Sequence, residues 1–189
     1  DTNVFVGHLA GDSITTGYQN VFVGARTDGN IVGAVNQIAI GNGTVGQGNN
    51  SAVFGNTSVL TTHVQVDWTI DSDRRIKKDI EDSDIGLSFI NTLRTRKFRK
   101  KHPSEWDYEI LDERYKKGGG NYDDEKDEII RDEFDDEKVW NGLVAQEVKE
   151  AMDNSGEYFS GWSENYKGKQ GIQYSTMVIP LIKAVQELS

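Results

Sequence analysis

Trp68-Thr69-Ile70-Asp71-Ser72-Asp73-Arg74-Arg75-Ile76-Lys77-Lys78-Asp79-Ile80 separates two chemically different parts of the sequence. Before Asp71 the chain is nearly uncharged, with Asp1, Asp12, Arg26, Asp28 and Asp67 as its only ionised residues apart from histidine; from Asp71 onward there are 47. The first part is rich in Gly, Asn, Thr and Val, whereas the second combines aromatics, helical periodicity and dense charge. A chain of 189 residues has room for two small domains, and the expected division is 1–70 and 71–189.

The bulk numbers exclude several classes. A formal charge of -10 argues against general affinity for nucleic acid or anionic membrane. There is no cysteine, so no disulfide framework exists. No apolar run approaches the roughly 20 residues that cross a bilayer, and the N-terminus shows no signal-peptide pattern, so a soluble chain is expected. With His8, His63 and His102 as its only histidines, the sequence suggests no metal or cofactor site, and catalysis is expected to avoid imidazole.

Upstream of the junction the sequence repeats. Asn3-Val4-Phe5-Val6-Gly7, Asn20-Val21-Phe22-Val23-Gly24, Gln37-Ile38-Ala39-Ile40-Gly41 and Ser51-Ala52-Val53-Phe54-Gly55 end in glycines spaced 17, 17 and 14 residues apart. β-Branched and aromatic residues favour strands, and the intervening Gly and Asn tolerate positive φ in tight turns. Short strands at a fixed period signal a β-solenoid-like stack. About 70 residues with small side chains enclose little core, so association of several copies around an axis is expected to supply the missing burial. The pattern resembles the head repeats of trimeric autotransporter adhesins and segments of phage fibres. A monomeric solenoid or a Gly-rich linker is the alternative.

The junction itself carries the chemistry. A serine hydroxyl is a weak nucleophile until a base takes its proton, and with so few histidines lysine is the available base, as in Ser-Lys pairs. Lysine acts as a base only when neutral, a state favoured by burial or by nearby cations such as Arg74, Arg75 and Lys78. Ser72 and Lys77 are five residues apart, so on an extended strand they face opposite sides, and a turn must intervene for them to meet. By itself the Ser-x4-Lys spacing is equally the mark of a helix cap and a solvated turn.

Three segments in order narrow the reading. Ser72, Asp73, Arg74, Lys77 and Ile80 fill the pattern Ser-Asp-x-Arg-x-Lys-x-x-Ile; Gly142-Leu143-Val144-Ala145-Gln146-Glu147-Val148 follows; Tyr174-Ser175 and Ile179 to Leu188 close the chain. Together with Leu87 to Phe98, this order resembles the C-terminal intramolecular chaperone of endosialidase tailspikes, phage neck appendages and tail fibres, the peptidase S74 family. The same module resembles the autocleavage domain of the myelin regulatory factor family. The resemblance implies an α+β domain that drives folding and trimerisation of a viral fibre or tailspike. It implies further that Ser72 attacks the Asp71 carbonyl with Lys77 as base, cutting the Asp71–Ser72 bond once, in its own chain. The implied partners are two further copies of the chain and the upstream fibre region, with a host surface receptor as a possible third and neither nucleic acid nor membrane insertion. The implied location is the virion, after assembly in the host cytoplasm. A trimeric fibre tip that binds a host surface without cleavage is the competing reading.

The remaining stretches give local expectations. Ser83 is placed to cap a helix over about 84–93, and a second helix is expected over 141–152. Arg94 to Lys101, six basic residues around Phe98, reads as a strand with a solvated cationic face. Residues 123–137, with ten acidic side chains, read as a partly helical insertion lacking the spacing of a calcium loop. Tyr174, Val178, Leu181, Val185 and Leu188 form a heptad seam, the start of a three-stranded coiled coil whose regular helix is expected near Pro180. Packing of that seam on its own subunit is the alternative.

Overall fold

The structure, a computed structural model, describes residues 2–59, 61–111, 113–119, 121–130 and 136–189. In chain order its elements are strands β1 (Val4–Val6), β2 (Val21–Val23), β3 (Ile38–Ile40) and β4 (Ala52–Phe54), helix α1 (Leu87–Thr92), strands β5 (Arg96–Arg99), β6 (Tyr122–Asp123), β7 (Glu128–Ile129) and β8 (Val139–Gly142), helix α2 (Ala145–Ser155), strands β9 (Trp162–Glu164) and β10 (Gln170–Ile172), and helix α3 (Val178–Leu188). The fold is α+β. No helix of the described residues is long and apolar enough to cross a membrane. Two compact units form, and the chain passes between them repeatedly. The first holds 1–61, 99–139 and 165–169; the second holds 62–98, 140–164 and 170–189.

In the first unit β1 to β4 make one parallel sheet in sequence order, with Phe5, Phe22, Ala39 and Val53 in register. These central residues point inward: Phe22 and Ala39 are fully buried, and the Phe5 and Phe22 rings stack at 5.1 Å. Strands β1, β2 and β3 are each preceded by an amide side chain (Asn3, Asn20 and Gln37), and β4 by Ser51. The Asn20 backbone N–H donates to Asn3 Oδ1, and that of Gln37 to Asn20 Oδ1, both at 2.9 Å. Glycine follows β1, β2 and β3 where the backbone of the next turn lies against it. At Gly24, where φ is +136°, a Cβ would run into the Gly41 carbonyl. The left-handed corners are not all glycine or asparagine, since Leu9, Gln19 and Arg26 also adopt positive φ. Leu9 and Arg26 are one repeat apart, so these are equivalent corners of successive turns.

The same unit contains the insertion 99–139. Tyr115 and His102 are buried edge to face at 5.7 Å. Arg114 donates to Thr57 Oγ1 at 2.8 Å and to the Tyr115 hydroxyl, holding the insertion to the turn after β4. The acidic stretch begins as the antiparallel pair β6–β7 rather than as helix. Asp123 makes this turn, accepting from the Glu125 and Lys126 amides at 3.1 Å and pairing with the Lys126 ammonium at 2.8 Å. The rest of that stretch, 131–135, lies outside the described residues.

The second unit has its own core. Phe89 of α1, Val148, Ala151 and Met152 of α2, Phe159 and Met177 are buried together, with Leu93, Leu143, Trp162 and Ile172 around them. A fully buried phenylalanine such as Phe89 contributes about 1.5–3 kcal/mol relative to exposure. Around this cluster β5 pairs with β8 and β9 runs antiparallel to β10. In β5 Arg96 and Phe98 are half-buried while Lys97 and Arg99 face water. Helix α2 begins at Ala145, later than its stripe suggests, because Val139–Gly142 is spent on β8, and Gly156 at φ +72° ends it. Helix α1 is short and starts after Gly86, so Ser83 does not cap it.

Helix α3 starts at Val178, two residues before Pro180. Proline is accommodated there because the first four helical N–H groups have no partner inside the helix, so its missing donor costs nothing. Pro180 and Ala184 face the core, whereas Val178, Leu181, Val185 and Leu188 are between 47 and 71% exposed. Within this chain those four side chains are left open to water. Tyr174 stands apart from α3, in the 3-10 turn Tyr174–Met177.

Candidate functional site

The stretch from Asp73 to Lys77 folds as the turn that the odd Ser72–Lys77 separation requires. Asp73 caps a 3-10 turn over Arg74–Ile76, its side chain accepting the Arg75 amide, and the Lys77 N–H returns to the Arg74 carbonyl. With the backbone so reversed, Lys77 Nζ donates to Ser72 Oγ at 2.6 Å. Both side chains are exposed, as is Asp71.

The motif residues have separate tasks. Asp73 holds the turn through Arg75, whose Nε and Nη2 reach its two carboxylate oxygens at 3.0 and 2.7 Å. The Arg75 guanidinium keeps the Asp73 carboxyl below the usual carboxylate range. Arg74, singled out in the sequence, supplies its carbonyl to the turn, and Arg75 supplies the side chain. Ile76 and Ile80 are exposed, so they do not bury the lysine within this chain. Among the described residues, no group of three or more His, Asp or Glu side chains is arranged to hold a metal ion.

Elsewhere in the second unit two hydrogen-bonded links join stretches that the sequence reading singled out. Arg96 of β5 forks onto Glu147 of α2, with Nε at 3.0 Å from Oε2 and Nη2 on Oε1. Arg96 thereby holds the Glu147 carboxyl below its ordinary range. The Leu143 N–H donates to the Tyr174 hydroxyl at 2.8 Å, and Gly142 leaves the space this hydroxyl occupies. Tyr174, expected in the trimer seam, thus anchors the strand end before α2. Sequence reasoning placed Glu147 in the Gly142–Val148 segment and in a helix, and missed Arg96 as its partner. Nor did it single out Phe159, which packs on Phe89 at 5.5 Å. Nothing local in the sequence announces either contact.

Residues 72–157 match the family described as chaperone of endosialidase, peptidase S74, and the match begins at Ser72 itself. The C-terminal part of the chain carries a domain of that family. No curated protein matches the chain.

Proposed function

We propose that this domain is an intramolecular chaperone which brings three copies of the chain together, sets the register of a fibre or tailspike built on the upstream repeats, and then cuts itself off at Asp71–Ser72. The observation that carries the reading is the 2.6 Å hydrogen bond between Lys77 Nζ and Ser72 Oγ at the first residue of the family match. In the reaction, neutral Lys77 takes the hydroxyl proton as Ser72 Oγ adds to the Asp71 carbonyl carbon. The C–N bond breaks, the proton passes to the departing Ser72 amine, and the Asp71 acyl group is left as an ester on Oγ. Water then hydrolyses the ester, giving a carboxylate at Asp71 and restoring the Ser72 hydroxyl. Release of the domain leaves the mature fibre on the virion without the device that assembled it.

Stacked parallel strands depend on non-local pairing, and a one-residue slip reverses which side chains face inward. A domain that holds three chain ends together raises local concentration and fixes the start of the register. The exposed seam of α3 supplies an apolar face for that contact, as the start of a three-stranded coiled coil. Residues 1–70 are in this reading a solenoid-like fibre segment and residues 71–189 the processing domain.

The test is intact mass under denaturing conditions, on wild type and on Ser72→Ala and Lys77→Ala. A wild type split between Asp71 and Ser72 with both variants whole establishes the dyad. An uncut wild type that is trimeric leaves the chaperone and removes the peptidase. A second reading, host-surface binding by the repeats, is favoured by a cleft of about 400 Å³ in the first unit whose lining includes Asp12, Arg26, Asp28, Asn42 and Lys117. Binding of host-cell surface material that survives Ser72→Ala and is lost with Arg26→Ala supports it.

A further inference from the structure

The segment just before the junction has a pattern that the repeats and the domain leave unused. In Thr61-Thr62-His63-Val64-Gln65-Val66-Asp67-Trp68-Thr69-Ile70 the apolar residues Val64, Val66, Trp68 and Ile70 alternate with Gln65, Asp67 and Thr69. Strict alternation over seven residues is the mark of a strand with one buried face. Seven of the ten residues are Thr, Val, Trp or Ile, and none is Gly, Pro or Ser, so this is not the composition of a flexible linker. Yet no described residue from 61 to 71 belongs to a strand or helix. The apolar row lies in water, with Val64 54%, Val66 79%, Trp68 72% and Ile70 80% exposed.

We infer that residues 64–70 form a strand against the same segment of a second copy of this chain, in parallel, as the second contact of the assembly proposed above; the inference rests on that assembly reading. Area favours two contacts over one. The four side chains leave on the order of 500 Å² of surface per copy, and the exposed face of α3 roughly 600 Å², whereas a stable interface takes about 800 Å² from each partner. Neither face suffices alone, and both belong to the same compact unit.

Chemistry favours the same chain as occupant. Identical strands placed in parallel bring one apolar row against another with no foreign complementarity to arrange. The single acid, Asp67, stands on the opposite row, where it stays in water and out of the seam. Copies joined about a fibre axis run in the same direction, as β1 to β4 do within one chain. A net charge of -10 disfavours an anionic membrane as the alternative occupant of the row.

The test uses the full chain with Ser72→Ala to keep it intact, followed by sedimentation and by hydrogen–deuterium exchange across a dilution series. Amides 64–70 are expected to be protected at assembling concentrations and to lose protection on dilution. Val66→Asn with Ile70→Asn is expected to weaken association by about tenfold or more, and Gln65→Ser with Thr69→Ser to leave it unchanged. All four positions are exposed in the single chain, so folding is preserved, which far-ultraviolet circular dichroism checks. An assembly that protects α3 while 64–70 exchange freely at every concentration overturns this inference and leaves the assembly standing. A chain that never associates overturns both. Protection of 64–70 by anionic vesicles alone, without self-association, overturns the second copy as occupant.

Discussion

The Glu187 carboxylate accepts the Leu87 backbone N–H at 2.7 Å, so a residue of α3 caps the first turn of α1 from a hundred positions away. Helix α1 has Gly86 at its N-cap and no side-chain cap of its own. A Cβ at Gly86 would occupy the place of that carboxylate.

Glu187→Ala therefore leaves the start of α1 uncapped. The expected loss is about 1 kcal/mol of stability, read as a lower midpoint in urea, with Glu187→Gln losing less because its carbonyl still accepts. Gly86→Ala is expected to weaken the same contact, by displacing the carboxylate. An unchanged midpoint in both Glu187→Ala and Gly86→Ala would refute the cap.

The repeats predict a contrast between two glycines. Gly24→Ala combines positive φ with collision against the Gly41 carbonyl and is expected to cost about 2–3 kcal/mol or more. At Gly33 the backbone conformation is ordinary and the nearest neighbour of a new Cβ is Thr16 Oγ1 at 3.3 Å, so Gly33→Ala is expected to stay within about 0.5 kcal/mol. Equal effects in thermal unfolding of the two variants would count against the stacked glycine column.

The Arg96–Glu147 pair gives a pH dependence with a definite sign. Because Arg96 lowers the Glu147 carboxyl in the folded chain, the pair stabilises above the unfolded glutamate value, about pH 4.3, and that contribution is lost as pH falls through the lowered folded value. Arg96→Gln removes it, so the variant's deficit against wild type is expected at neutral pH and to shrink near pH 3. Urea midpoints measured at both pH values decide; a deficit that is independent of pH would assign Arg96 a packing role instead.

Tyr174→Phe leaves the Leu143 amide without its hydroxyl acceptor. A loss of about 1 kcal/mol is expected, with faster exchange of the Leu143 amide by nuclear magnetic resonance. Retained protection at Leu143 would show that the hydroxyl is dispensable.

What the sequence disclosed was local. The strand segments of the repeats follow from Val-Phe-Val and Ile-Ala-Ile runs ending in glycine, and the turn between Ser72 and Lys77 follows from an odd spacing. The basic stretch alternates around Phe98 as β5 does. Contacts that depend on residues far apart were not legible: Glu187 on Leu87, Arg96 on Glu147, Arg114 on Thr57. Each needs the three-dimensional path first, and its residue types are common on solvated surfaces. Corners at Leu9, Gln19 and Arg26 were also hidden, because stacking fixes the backbone there against local preference. The start of α3 was legible to within two residues, since proline fits the first turn of a helix and Val178 precedes Pro180 by two positions.

The register of β1 to β4 also makes the repeats a ruler. Each strand lies one above the next, so every turn of 17 residues adds only one strand spacing, about 4.8 Å, to the length of the stack. The same residues fully extended would span more than ten times that distance. Gene-level duplication of one turn would lengthen such a segment in small equal steps while leaving its cross-section unchanged, and the 14-residue turn before β4 marks where that spacing shortens.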